Sequence, residues 1–403
     1  MAAADTIRSA LKEGDGIFRM VPTWVPRSFN RPGKRLRLHP DDYYAMGLDR
    51  GAIVERWFSS ITRAANPGAP EDEGLSYILV GGGGKMLFRD AVGELGAELI
   101  GEKLMADYGT WPMYAKFYDY QHALFHHVHH GEEASKRVGQ LPKHEHYFFP
   151  MQYNNHLGDC PVTYFGFDPS VSREQIRQRL LKFETADGRI TELSRAFRLQ
   201  LGTGWYTPAG VLHAPGSLVT YEPQWNSDVL ASWENVVSGE PMTRDYLYNY
   251  LPEDLKDDLE AVMDVPDWEI NTCPDYRERY FRPPVPEQSG NGWNQDWIVY
   301  GNPYIGGKEL TVQPGCSVEI KDDAAYGCVV VQGRGTIGKH DCESPTLIRF
   351  GQLTADEFYV SKPRASDGVK VVNLSKVEPL VILKHFGPDC GMDKVDKKNA
   401  RIV

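Results

Sequence analysis

The chain has 403 residues, 41% hydrophobic and 25% charged, with a formal net charge of −11. That acidity argues against nucleic acid or an anionic membrane surface as the main partner, and no run approaches the roughly 18 apolar residues that span a bilayer. Six scattered cysteines without a CxxC are too sparse for a disulfide framework. A soluble, cytoplasmic protein with reduced thiols is expected. Its 39 glycines, 27 prolines and 11% aromatics favour strands and turns over a helical bundle.

In chain order, residues 1–26 predict a short amphipathic helix followed by an arm containing Pro22 and Pro26. Tyr77-Ile78-Leu79-Val80 predicts a strand. The Gly81-Gly82-Gly83-Gly84-Lys85 run after it lacks the Ser or Thr of a phosphate loop, since Met86 follows, and reads as a turn. Leu95, Leu99, Ile100 and Leu104 recur at helical spacing, predicting a helix over 89–107. From Tyr118 the pattern becomes short strands and loops, interrupted by a helix that Ser172 can cap. Short strands return between Leu199 and Glu222, 243–264 reads as helical, and the Pro, Asp, Asn and Gly of 265–292 read as a linker. Beyond Trp293, strands are expected at 309–312, 317–320, 327–331, 346–349, 357–360 and 369–373, the even spacing of a jelly roll. The expected organisation is an N-terminal helix and arm (1–26), a metal-binding unit with a helical insert (27–242), a helical segment and linker (243–292) and a second, metal-free unit (293–403).

The chemistry gathers in the middle of the chain. In a strand, side chains at i and i+2 share a face, so His127 and His129 can grip one ion from one wall. Glu145 and the later His213 complete a donor set of imidazoles and a carboxylate, which suits Zn²⁺ or another borderline divalent ion. The run His126-His127-Val128-His129-His130 leaves other pairings open, and His144 or His146 can replace Glu145 if the register shifts. Lys143 shares the strand face of Glu145. Glu222 and Asp228 are further acid–base or hydroxyl-binding candidates.

Several segments carry a family likeness in the right order: Glu98-Leu99-Ile100-Gly101, Trp111-Pro112-Met113-Tyr114-Ala115-Lys116-Phe117, His127-Val128-His129-His130-Gly131-Glu132, Pro142-Lys143-His144-Glu145-His146-Tyr147, Pro208-Ala209-Gly210-Val211-Leu212-His213-Ala214, Tyr221-Glu222 and Ser227-Asp228. Glu55-Arg56-Trp57 and Glu71-Asp72-Glu73-Gly74-Leu75-Ser76 extend it upstream. Together they resemble the type I mannose-6-phosphate isomerases, zinc-dependent cupin enzymes. The resemblance implies a mainly β fold of two cupin (jelly-roll) barrels with helical insertions. It selects His127 and His129 from the histidine run, with Glu145 and His213, as metal ligands, and it places Lys143 and Asp228 in the active site. The implied activity is metal-dependent aldose–ketose isomerisation, mannose 6-phosphate to fructose 6-phosphate, with a sugar or sugar phosphate as the partner.

Two positions depart from the family pattern. Phe125 stands where a Ser is usual and Ser232 where an Arg is usual. An Arg is a fixed cation with bidentate reach, so its loss motivates two alternatives: an isomerase of an unphosphorylated or other sugar, and a non-catalytic metal- and sugar-binding cupin. Lys136, Arg137 and Arg244 are the loop cations that can stand in for the lost Arg.

Overall fold

The computed structural model describes residues 3–237 and 239–401. The fold is mainly β and antiparallel, arranged as two jelly-roll-like double sheets with helical insertions.

The first double sheet sets seven strands against five. The seven run in the order Phe281–Arg282, Gly204–Thr207, Glu145–Phe148, Thr220–Trp225, Met113–Tyr118, Ala52–Phe58 and Thr23–Arg27. The five are Ser194–Arg198, Val162–Phe167, Leu212–Ala214, His127–Val128 and Ala231–Ser232. Val54, Tyr118, Tyr147 and Trp205 of the larger sheet meet Phe165 of the smaller in one buried cluster with Phe125 and Val211. The second double sheet packs Leu310, Val330 and Ile382 of a nine-stranded sheet against Val318, Ile337 and Val371 of a four-stranded one.

A shared core joins the two units, with Phe58, Phe117 and Tyr221 against Val329, Tyr359 and Leu383. Polar ties cross the same seam: Arg56 Nη1 lies 2.7 Å from Asp356 Oδ2 with both side chains buried. Removing one partner of such a pair strands the other charge and costs about 3–5 kcal/mol. We propose 27–242 and 293–403 as the bodies of the two units; Thr23–Arg27 and Phe281–Arg282 complete the sheet of the first, and Ile17–Val21, Tyr77–Val80, Gly84–Leu87 and Val285–Gly290 that of the second.

Several local expectations change for identifiable reasons. The N-terminal arm is two strands belonging to different sheets, parted at Pro22. Pro26 is tolerated because Thr23–Arg27 is an edge strand, and the pairing slips between Val25 and Pro26. The expected helix over 89–107 is three, Phe88–Leu95, Ala97–Ile100 and Glu102–Tyr108, cut where Gly96 (φ 49°) and Gly101 (φ 92°) turn left-handed. Within 243–264 only Leu259–Met263 is α-helical, the preceding residues being short 3₁₀ turns broken at Tyr250 and Asp257, both with positive φ.

Residues 265–292 hold the helices Trp268–Thr272 and Tyr276–Tyr280, and Phe281–Arg282 then pairs with Gly204-Trp205. Residues 346–349 form no strand. Ile348 is drawn instead onto Leu38 in an isolated bridge. The helix Arg173–Leu180 has the capping box expected from Ser172, and Gly81–Gly83 forms the turn of a hairpin. No helix among the described residues is long and apolar enough to cross a membrane.

Candidate metal centre and adjoining chamber

Strand pairing builds one wall of the centre. His127 lies directly opposite His213 in the antiparallel register of His127–Val128 with Leu212–Ala214. Their ring centroids are 4.2 Å apart, and His129, two residues on, is within 4.9 Å of both. A ligating nitrogen from each of the three buried rings lies within 4.8 Å of the other two.

Each ring is held by a backbone carbonyl. Nδ1 of His127 lies 2.8 Å from Phe125 O, that of His129 2.7 Å from Val229 O, and that of His213 2.8 Å from Val211 O. A carbonyl only accepts, so each Nδ1 carries a proton, which leaves Nε2 as the nitrogen that can ligate.

Glu145 faces these nitrogens from the opposite sheet. Its Oε1 is 2.9 Å from His129 Nε2 and its Oε2 is 3.4 Å from His213 Nε2. Burial opposes its charge, yet the Lys143 ammonium 3.1 Å away favours the ionised carboxyl. Burial also pushes the His129 imidazole down to about 3, so that ring is neutral. An ionised carboxylate and neutral Nε2 atoms are all acceptors, and acceptors at these separations repel unless a cation lies among them. The donor set therefore fits a divalent metal, with the carbonyl contacts fixing tautomer and ring orientation as metal-bound histidines require.

The remaining predicted residues lie around this cluster. Lys143 Nζ is 3.1 Å from Glu145 Oε1 and 3.8 Å from Asp228 Oδ1. Glu222 is directly opposite Lys116 on the neighbouring strand, with 3.1 Å between Oε1 and Nζ. Burial and the Glu145 charge push the Glu222 carboxyl up to about 8. His126, His144 and His146 stand outside the cluster: His126 Nε2 meets Ser194 Oγ at 2.6 Å, His144 stacks on Tyr304, and His146 Nδ1 meets Tyr147 O at 3.1 Å.

Sequence reasoning missed four residues. Arg27 grips both oxygens of Glu55 at 3.0 and 3.1 Å and lies 3.3 Å from Asp228. Tyr147 donates to Glu145 Oε2 at 2.9 Å. Glu55 and Lys116 stand in family-like segments without an assigned role, and their cross-strand partners Tyr118 and Glu222 are visible only once the strands are paired. Nothing local in the sequence marks Arg27.

These side chains enclose a cavity of about 20 Å³, water-sized, lined by His127, Lys143, Glu145, Glu222, Asp228 and their neighbours. Arg27, Phe29, Asp228 and Leu230 also line a second cavity of about 380 Å³ that opens outward.

No family model and no curated relative matches the sequence. Solved structures do match. A protein of Archaeoglobus fulgidus assigned as a mannosephosphate isomerase superposes with a TM-score of 0.61 at 15% identity, over 92% of this chain and 97% of that one. The mannose 6-phosphate isomerase of Bacillus subtilis gives 0.59 at 16% identity, over 92% and 99%. A histidine-to-glutamine variant of phosphomannose isomerase from Salmonella typhimurium gives 0.61 at 11% identity, over 93% and 100%. The chain has the mannose-6-phosphate isomerase fold.

On this mannose-6-phosphate isomerase fold the two departures have distinct surroundings. Phe125 packs edge-on against Phe29 and His127, making an apolar wall. Ser232 is buried opposite His127 and donates to Glu234 O at 2.9 Å. Lys136 and Arg137 are on the helix Glu132–Arg137, and Arg244 pairs with Glu184 and Asp257. None of the three lines either cavity.

The buried histidines also set an acid limit on stability. Burial lowers His126 and His385 to about 3 and His144 to about 4, from an ordinary 6.5. Between those values the unfolded chain binds more protons than the folded one. Stability is therefore complete above pH 6.5 and is lost as pH falls toward 4, by up to about 1.4 kcal/mol per pH unit for each histidine. Thermal unfolding of chelated protein should show Tm dropping steeply from pH 7 to pH 5. A flat Tm over that range would contradict neutral buried rings.

Proposed function

We propose that the protein is a metal-dependent aldose–ketose isomerase of the mannose-to-fructose type. The observation that carries this reading is the convergence of His127, His129, His213 and Glu145 with Lys143 held against the carboxylate. The fold is shared with the mannose 6-phosphate isomerase of Bacillus subtilis, and isomerisation of that type moves a proton between C2 and C1 of a sugar. The four residues would hold the ion, and imidazole with carboxylate suits Zn²⁺. A bound divalent ion polarises sugar oxygens and stabilises the negative charge that develops on them.

The chain's own groups handle the protons. Lys143, between Glu145 and Asp228, is placed to hold a sugar oxygen or carry a proton. Glu222, buried beside Lys116 and lining the metal-side cavity, is placed to give or take one. Burial opposes the charge of Asp228, yet Arg27 and Lys143 keep it ionised, so it is suited to accept a hydroxyl proton in a hydrogen bond. The partner is thus a small sugar. All six cysteines are free thiols, which suits a reducing, cytoplasmic compartment.

The test is ketose formation from mannose 6-phosphate and from mannose, before and after chelation and with zinc add-back. Activity lost with the chelator and restored by zinc is expected. Metal-replete protein that converts neither compound would defeat the isomerase reading and leave a sugar binder.

A further inference from the structure

We infer that the chamber opening off the metal centre selects an unphosphorylated sugar and excludes its phosphate ester. This names the substrate class for the isomerase reading above and rests on it. The cavity, about 380 Å³, is large enough for a hexose and meets the metal-side cavity at Arg27, Phe29, Asp228 and Leu230. Charge decides what it admits.

Arg27 is the one cation among the described residues lining the chamber, and its donors are spent. Nε and Nη2 bond Glu55, Nη1 reaches Asn66 at 3.0 Å, and both Nη atoms lie within 3.4 Å of Asp228. A phosphate would have to strip the guanidinium from two buried carboxylates. It would also face carboxylates on the wall, Asp228 at the inner end and Asp245 at the exposed rim. Among side chains, a free cation with bidentate reach is the strongest phosphate partner, and like charges brought together without one are costly.

The rest of the wall suits a neutral polyol. Ser28, Thr243 and Asn249 offer hydroxyl and amide groups, and Phe29, Tyr246 and Tyr250 offer apolar faces. Tyr250 reaches the wall with a left-handed backbone, φ 57°, a conformation a bulky residue holds only when its surroundings impose it.

Binding can be read without turnover by calorimetry on zinc-loaded full-length protein, titrating D-mannitol, D-mannitol 1-phosphate and inorganic phosphate. The free hexitol should bind at least about tenfold more tightly than its phosphate ester, the measure of one unfavourable charge contact. Equal or tighter binding of the ester would overturn the inference, and so would failure of both compounds to bind. Ser28→Lys adds a cation at the exposed rim and should narrow the preference by about tenfold; an unchanged preference would remove charge as its cause. The isomerase reading fails separately: protein that binds mannitol but converts no aldose keeps this selectivity and loses the reaction.

Discussion

His213→Ala is expected to lose stoichiometric zinc and ketose formation together. The ring is fully buried and its Nδ1 is committed to Val211 O, so its only role toward the cluster is the Nε2 lone pair. That atom is buried without a hydrogen-bond partner, which leaves an unexplained desolvation cost unless something is bound there. Loss of an outer-shell partner alone lowers metal affinity about 10–100-fold, so removal of a direct donor should lower it by at least about a hundredfold. Zinc content after gel filtration and the zinc-induced rise in Tm check this separately from activity. Truncation also opens a cavity in the core, so the metal-free Tm of both proteins serves as the folding control. An active, metal-replete variant would sink the proposed donor set.

Lys143→Ala is expected to keep zinc and lose turnover by about 10²–10⁴-fold, the usual worth of a positioned proton-transfer group. Lys143 is buried between two carboxylates and lines the metal-side cavity. Removing it also leaves Glu145 and Asp228 less compensated, an effect of charge rather than chemistry. Lys143→Arg separates the two. It preserves the positive charge but supplies a guanidinium that does not release its proton. An arginine variant that folds, holds zinc and fails to turn over assigns proton transfer to Lys143. An active arginine variant assigns it an electrostatic role, and an active alanine variant removes it from the mechanism.

Much of the local geometry is legible in the order of the residues. The alternation of His127 and His129 is a two-residue period, and a strand turns it into a shared face without help from the rest of the chain. Ser172 and Gln175 specify a helix start within four residues. The glycine run after Val80 is a turn on composition alone. Where local pattern misleads, the competing force is also identifiable. The apolar spacing across 89–107 persists through Gly96 and Gly101, whose positive φ breaks the helix while the hydrophobic face continues.

The sequence by itself determined the mainly β class, the short-range pattern of the histidines and the Lys143–Glu145 spacing, because these depend on strand periodicity and neighbouring residues. Tertiary structure decided everything that needed two strands to meet. It set His213 opposite His127, Lys116 opposite Glu222, and Glu145 across from the imidazoles. It also brought Arg27, on an edge strand carrying an irregular Pro26, to within 3.3 Å of Asp228, 201 residues away in the chain. Strand register and sheet order carry that information, and they are fixed by burial of whole faces rather than by any local motif. The charge balance of the chamber therefore exists only in the folded chain.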